Sequence, residues 1–211
     1  LLTMAGENAG IVAVTAAMPL GTGLNRFAMR YPDRLFDVGI AEEHAVTMAA
    51  GMAAAGLHPV VAIYSSFLQR AYDELLHDVC LQKLPVVFAV DRAGLVGEDG
   101  ETHQGIYDIA YLSTLPGMRI YSPATQQELS AMLEMAVLRA EPAAIRYNRG
   151  SLMQALIRTP VEFGKWCVIR PIAAVTVVAT GCMVEEAFAA VKDLDVGLVN
   201  ARFLSPMDED I

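Results

Sequence analysis

Apolar and polar positions divide the chain into alternating short runs. Ile11-Val12-Ala13-Val14, Leu35-Phe36-Asp37-Val38, Pro59-Val60-Val61-Ala62-Ile63-Tyr64 and Pro85-Val86-Val87-Phe88-Ala89-Val90 read as strands. Met118–Tyr121 and Ala143–Tyr147 are weaker strands of the same kind. Several are apolar at consecutive positions, the pattern of a strand covered on both faces. Helical spacing fills the gaps at about Ala41–Ala55, Phe67–Gln82 and Thr125–Arg139, and Thr125-Gln126-Gln127-Glu128 forms a capping box for the last. Covered strands alternating with helices predict an α/β fold: a mainly parallel sheet with helices on both faces.

The stretch from Arg92 to Gly117 is rich in Gly and charge, and long ordered loops in compact domains usually serve a function. After Arg149-Gly150 the periodicity lapses, so residues 151–170 read as a linker between a first domain, 1–150, and a second pattern over 171–211. That pattern is strand Val175–Ala179, helix Met183–Lys192 and strand Val196–Asn200, one βαβ unit that cannot bury a core alone. The second domain is therefore expected to be incomplete. The chain also starts without an initiator Met, as if inside a longer protein.

With 55% hydrophobic and 18% charged residues, the 211-residue chain is expected to fold. It has no apolar run long enough to span a bilayer, and its first residues do not read as a signal peptide. The net charge of −9 argues against nucleic-acid and membrane partners. Cys80, Cys167 and Cys182 have neither metal nor disulfide spacing, which fits a reducing, cytoplasmic setting.

In an open parallel sheet, ligands bind outside the carboxyl ends of the strands. Glu42, Glu43 and His44 follow the second strand; Tyr64, Phe67 and Arg70 follow the third. Asp91, Arg92 and the loop with Glu98, Asp99 and His103 follow the fourth, and Arg146 and Arg149 the last. Each has an ordinary explanation too. Acidic residues suit a first helical turn, Arg70 has Asp73 and Glu74 at helical spacing, Tyr64 and Phe67 suit a core, and His103 and the two arginines suit a solvated surface. Gly21-Thr22-Gly23 lacks the third glycine of a dinucleotide fingerprint. No histidine has a trustworthy metal spacing, so these residues are assigned no metal.

Taken together the segments are more specific. Asp37-Val38-Gly39-Ile40-Ala41-Glu42-Glu43-His44-Ala45 resembles the glutamate motif of transketolase-like thiamine-diphosphate enzymes. Ile63–Asp73 and Asp91–Gly97 resemble the 1-deoxy-D-xylulose-5-phosphate synthase family in particular. Glu98–Gly105 is shared with transketolases more widely, and Val199–Phe203 is similar to the synthase C-terminal domain. Asn148 and Trp166 depart from the family pattern, which more often has proline and glycine there.

The resemblance implies a pyrimidine-type thiamine-diphosphate-binding domain followed by the start of a second α/β domain. It implies decarboxylative condensation of pyruvate with glyceraldehyde 3-phosphate, feeding isoprenoid, thiamine and pyridoxal precursors. Glu42 would hydrogen-bond a pyrimidine ring nitrogen of thiamine diphosphate, a role in which the carboxyl holds a proton, and Phe67 would stack on that ring. Tyr64, Arg92 and Arg149 would bind the substrate phosphate, concentrating positive charge against the chain's acidic balance. Arg70 would assist near pyruvate, and His103, supported by Asp99, would serve the reacting oxygens. The family holds Mg²⁺ and the cofactor diphosphate on a Gly-Asp-Gly segment that this chain lacks, so it carries about half of an active site and is expected to be inactive alone. The full-length protein is expected to be a homodimer. A transketolase, a 2-oxo acid dehydrogenase beta subunit, a half-length subunit with a separate partner, and a non-catalytic binding protein of the same fold are the competing readings.

Overall fold

A computed structural model describes residues 1–150 and 159–211. Ten strands and eight α-helices are present among them. The strands are β1 (Ile11–Thr15), β2 (Leu35–Asp37), β3 (His58–Tyr64), β4 (Val87–Asp91), β5 (Arg119–Tyr121), β6 (Ala143–Arg146), β7 (Cys167–Arg170), β8 (Thr176–Ala179), β9 (Gly197–Asn200) and β10 (Phe203–Ser205). The helices are α1 (Leu2–Glu7), α2 (Asn25–Arg30), α3 (Glu42–Ala54), α4 (Ser65–Leu68), α5 (Tyr72–Glu74), α6 (Asp108–Leu112), α7 (Gln126–Arg139) and α8 (Met183–Val191).

Seven strands form one sheet in the order β10-β5-β6-β4-β3-β1-β2, parallel throughout except for β10. Because side chains alternate along a strand, consecutive apolar residues load both faces. Val61, Ile63, Phe88 and Val90 meet α3, α4 and the segment after α5 on one side; Val60, Ala62, Val87 and Ile145 meet α1, α2 and α7 on the other. The expected α/β architecture with helices on both faces is the one observed.

The stretch expected as one helix over Phe67–Gln82 is broken instead. α4 passes through a 3-10 turn (Gln69–Ala71) into α5 and then a π-helical turn (Leu75–Cys80). The expected helix Thr125–Arg139 is α7 with Thr125 as its cap, Oγ1 accepting from Glu128 N at 3.1 Å. The Glu128 carboxylate does not close the box on Thr125. It accepts from Ala124 N (2.8 Å) and, across to the second unit, from Asn200 Nδ2 (3.1 Å) and Arg202 Nη1 (3.3 Å), with all three side chains buried.

Residues 151–158, the first part of the expected linker, lie outside the described residues. Cys167–Arg170, at the far end of that stretch, forms β7. It pairs antiparallel with β9, which pairs parallel with β8, while α8 covers this three-stranded sheet. The chain then returns to the first sheet as β10, antiparallel to β5.

Candidate active site

The segments that follow β2, β3, β4 and β6 bring the eight candidate residues into one connected set of contacts. α3 begins directly after the turn that follows β2. Its buried face has helical period: Glu42, Ala45, Val46, Ala49, Ala50 and Ala53. Glu42 is thus the one polar member of an apolar stripe, 2% exposed, whereas Glu43 faces solvent. A preference for acids in the first turn accounts for Glu43 but not for burying Glu42. Arg70, in the 3-10 turn after α4, compensates it: Nη1 donates to Glu42 Oε1 at 2.8 Å. The same guanidinium lies 5.1 Å from the Phe67 ring centre. Asp73, offered by spacing as a partner for Arg70, pairs with His77 instead, at 2.9 Å.

Phe67 joins the two halves of the site. It stacks on Tyr64, with ring centres 5.8 Å apart and planes at 20°, and meets the His103 ring edge-on at 5.1 Å. Tyr64 ends β3 and lies under Arg92, whose guanidinium carbon is 3.7 Å from its ring centre. Burial pushes the Tyr64 hydroxyl above its ordinary pKa, against the pull of Arg92. Gly21 must lack a side chain, because a Cβ there would stand 1.7 Å from the Tyr64 hydroxyl. The glycines discounted as a dinucleotide motif therefore include one that the site needs. Its signal is close approach, which spacing alone does not reveal.

Arg92 has φ +58, a left-handed backbone that costs a non-glycine residue about 1 kcal/mol or more. Its guanidinium meets two carboxylates. Nε donates to Asp99 Oδ2 at 2.8 Å, and Nη1 reaches Asp91 Oδ2 at 3.2 Å. Arg149 Nη1 meets Asp99 Oδ1 at 3.2 Å and Glu98 Oε2 at 3.1 Å. The bond from Arg92 holds the Asp99 carboxyl below the usual range, while burial pushes Asp91 up. Asp91 was missed as a site residue; its signal was an acid beside an arginine at the end of a buried strand.

Both Asp99 oxygens engage Arg92 and Arg149, His103 also acts on Asp99 electrostatically, and His103 Nδ1 pairs with Thr102 Oγ1 at 2.9 Å. Each of the two arginines carries a carboxylate partner. A fork that can grip two oxygens at once prefers a nearby carboxylate to bare solvent. Arg92 and Arg149 line, with Gly21, Asp91, Gln126 and Tyr147, a cavity of about 710 Å³.

A buried carboxyl beside a half-buried aromatic ring fits the pyrimidine end of thiamine diphosphate. No cluster of three or more His, Cys, Asp or Glu able to hold a metal occurs among the described residues. The buried carboxyl and the ring together suit the heterocycle.

Comparisons with known proteins show the family and the fold. Residues 1–154 match the family model "Transketolase, pyrimidine binding domain" and residues 164–211 match "Transketolase, C-terminal domain". The chain is 52% identical to the 1-deoxy-D-xylulose-5-phosphate synthase of Clostridium tetani and 51% identical to that of Clostridium acetobutylicum, in each case over 100% of this chain and 35% of the relative. It therefore spans about a third of the length of the curated relatives it matches. A solved structure described as a split gene transketolase, inactive beta4 tetramer, superimposes with a TM-score of 0.87 at 29% identity, covering 99% of this chain and 70% of that one. Campylobacter jejuni transketolase shares the fold, with a TM-score of 0.85 at 18% identity over 99% of this chain and 35% of the other.

Proposed function

The chain belongs to the transketolase family, and on that premise we propose that it forms part of a 1-deoxy-D-xylulose-5-phosphate synthase, which condenses pyruvate with glyceraldehyde 3-phosphate and releases carbon dioxide. The observation that carries this reading is the contact chain from buried Glu42 through Arg70, Phe67 and Tyr64 to Arg92 and, by way of Asp99, to Arg149. It supports a reading in which a heterocycle-binding end lies beside a phosphate-binding end.

Thiamine diphosphate supplies an electron sink for decarboxylation when bound. Glu42 would hydrogen-bond a ring nitrogen of its pyrimidine, and Phe67 would offer an aromatic face to the same ring. Arg70 keeps the glutamate in place and stands near the keto acid. Tyr64, Arg92 and Arg149 take the phosphate of the aldehyde, whose oxygens replace part of the carboxylate coordination around the guanidinium groups. His103 reaches the reacting oxygens from the far side of Phe67 and moves protons during carbon–carbon bond formation. Mg²⁺ and the diphosphate are held outside residues 1–211, and the working protein is a homodimer. Cys80, Cys167 and Cys182 are all free thiols, which supports a reducing, cytoplasmic setting.

The test is a carboligation assay on the full-length protein, its Glu42→Ala variant and the isolated chain, each with pyruvate, glyceraldehyde 3-phosphate, thiamine diphosphate and Mg²⁺. Product from the first, near silence from the second and none from the third are expected. A full-length protein that makes no 1-deoxy-D-xylulose 5-phosphate overturns the reading.

A second reading is a split-gene subunit, favoured by the likeness covering 70% of the inactive beta4 structure. On that reading the isolated chain acquires activity when a separately encoded diphosphate-binding chain is added.

A further inference from the structure

The two ends of the candidate site are carried by separate segments. Asp99 and His103 sit on the loop between Gly94 and Gly105, and Arg149 follows β6. Directly behind them lies an ion pair that none of the roles above uses. Asp108 is the first residue of α6, just past the loop, and is fully buried at 0% exposure. Arg146 ends β6, just before Arg149, and is 9% exposed. The guanidinium grips the carboxylate as a fork: Nε to Oδ2 at 2.9 Å and Nη2 to Oδ1 at 3.3 Å. Its remaining Nη1 donates to Ser122 Oγ at 3.3 Å. Ser122 lies close to Gly181 of the second unit, where an added Cβ would stand 3.1 Å from that oxygen.

We propose that Asp108 and Arg146 are a positioning pair, which sets the loop bearing Asp99 and His103 against Arg149 so that the phosphate-bearing substrate is bound in register. This inference rests on the proposed function. Three features point to positioning instead of stability alone. Burying two charges is a weak source of stability, because well-packed apolar residues of similar volume often do as well or better. A bidentate fork fixes orientation as well as distance, which an apolar contact does not. The place of the pair matters most. The loop is pinched at its base by Gly94 N to Gly105 O (2.7 Å) and Gly105 N to Gly94 O (2.8 Å), and Asp108 anchors the segment that leaves this pinch. Arg149 is three residues past Arg146, so even an extended chain keeps their backbones within roughly 11 Å of each other. Arg149 is in turn bonded to the tip of the same loop through Glu98 and Asp99. The pair therefore closes a ring of contacts around the phosphate end without lining the cavity itself.

The experiment uses the full-length protein. Asp108→Asn leaves Arg146 buried opposite a neutral amide and can unfold the protein outright, so the decisive variant is the apolar double replacement Asp108→Val with Arg146→Met. Its melting temperature is expected to stay near that of the parent. KM for glyceraldehyde 3-phosphate is expected to rise about tenfold or more, the scale of a displaced binding group, while KM for pyruvate stays within about twofold, well inside that scale. A folded double variant with both KM values unchanged makes the pair purely structural and overturns the proposal. Hydrogen exchange provides a readout independent of activity. The amides of Val96 and Gly105, bonded to Gln104 Oε1 and Gly94 O, are expected to exchange at least about tenfold faster in the double variant at equal melting temperature. If the parent makes no product, the proposed function fails, and unchanged exchange at these two amides then overturns the positioning role separately.

Discussion

At the scale of single residues, Glu42 separates stability from function. Its carboxylate is buried, but its partner Arg70 has a side chain 48% exposed. Replacing Glu42 with Gln leaves Arg70 free to turn into water, so little stability is lost; half-exposed ion pairs contribute about 0–1 kcal/mol. Product formation by the full-length Glu42→Gln protein is expected to fall by about a hundredfold or more, the ordinary scale of a lost acid–base group. A melting curve near that of the parent beside a collapsed rate supports this. A rate within about threefold of the parent, far inside that scale, removes Glu42 from the chemistry. Cys80 makes a second residue-scale case. Burial in the apolar core behind α3 pushes its thiol from 9.0 to about 11. Its raised folded pKa favours the native state fully below the unfolded value, and that contribution is lost as pH rises from about 9 to about 11. Disulfide-exchange labelling at pH 8 is therefore expected to modify exposed Cys182 and spare Cys80, with Cys80 reacting only as the protein opens toward pH 11. Rapid labelling of Cys80 at pH 8 without unfolding contradicts this.

At the scale of elements, the loop between Gly94 and Gly105 is the most sensitive piece. A Cβ on Gly105 would lie 2.1 Å from the Arg92 carbonyl and 2.7 Å from Ser65 Oγ, so neither neighbour leaves room. Gly105→Ala is expected to force the pinch open and raise KM for glyceraldehyde 3-phosphate about tenfold, with kcat and the pyruvate KM less affected. Steady-state kinetics against each substrate in turn checks it, and an unchanged phosphate-substrate KM refutes it. Much at this scale was legible beforehand. Apolar runs marked β1 to β6 because two buried faces leave no polar alternation, and Thr125 marked the start of α7. The break of the expected Phe67–Gln82 helix was not legible. Leu68, Ala71, Leu75 and Val79 keep a helical apolar face whether the turn is α, 3-10 or π, so periodicity is blind to the widening. The candidate side chains were legible through motif and position, but their partners were not. Which carboxylate Arg92 and Arg149 hold is decided by how the loop folds back, and Asp99 carries no mark in the sequence that prefers an arginine to His103.

At the scale of the whole molecule, the second unit is built into the first. β10 extends the main sheet beyond β5, Phe203 meets the buried Tyr121 ring edge-on at 5.1 Å, and Trp166 Nε1 donates to Phe203 O at 2.7 Å. Arg202, 1% exposed, donates to Glu128 Oε1, Lys165 O and Pro160 O. Capping logic led to reading Glu128 only as a helix-start residue, and a three-residue edge strand has no sequence signal of its own, so this closure became visible only in three dimensions. A chain ending at residue 150 has one consequence that follows from it. The cut exposes the edge of β5, and it leaves Glu128 buried on α7 without Asn200 or Arg202. Removing one partner of a buried ion pair costs about 3–5 kcal/mol, a large part of the roughly 5–15 kcal/mol that holds a domain together. Arg202→Met in the complete chain imposes the electrostatic loss alone and is expected to lower the melting temperature clearly while keeping a cooperative transition. Truncation adds an unpaired strand edge, so 1–150 is expected to melt broadly and to run as aggregates in size-exclusion chromatography. If 1–150 instead melts cooperatively at the temperature of the whole chain, the buried link between the units contributes nothing to the fold, and the cavity wall formed by the start of α7 is held by the first sheet alone.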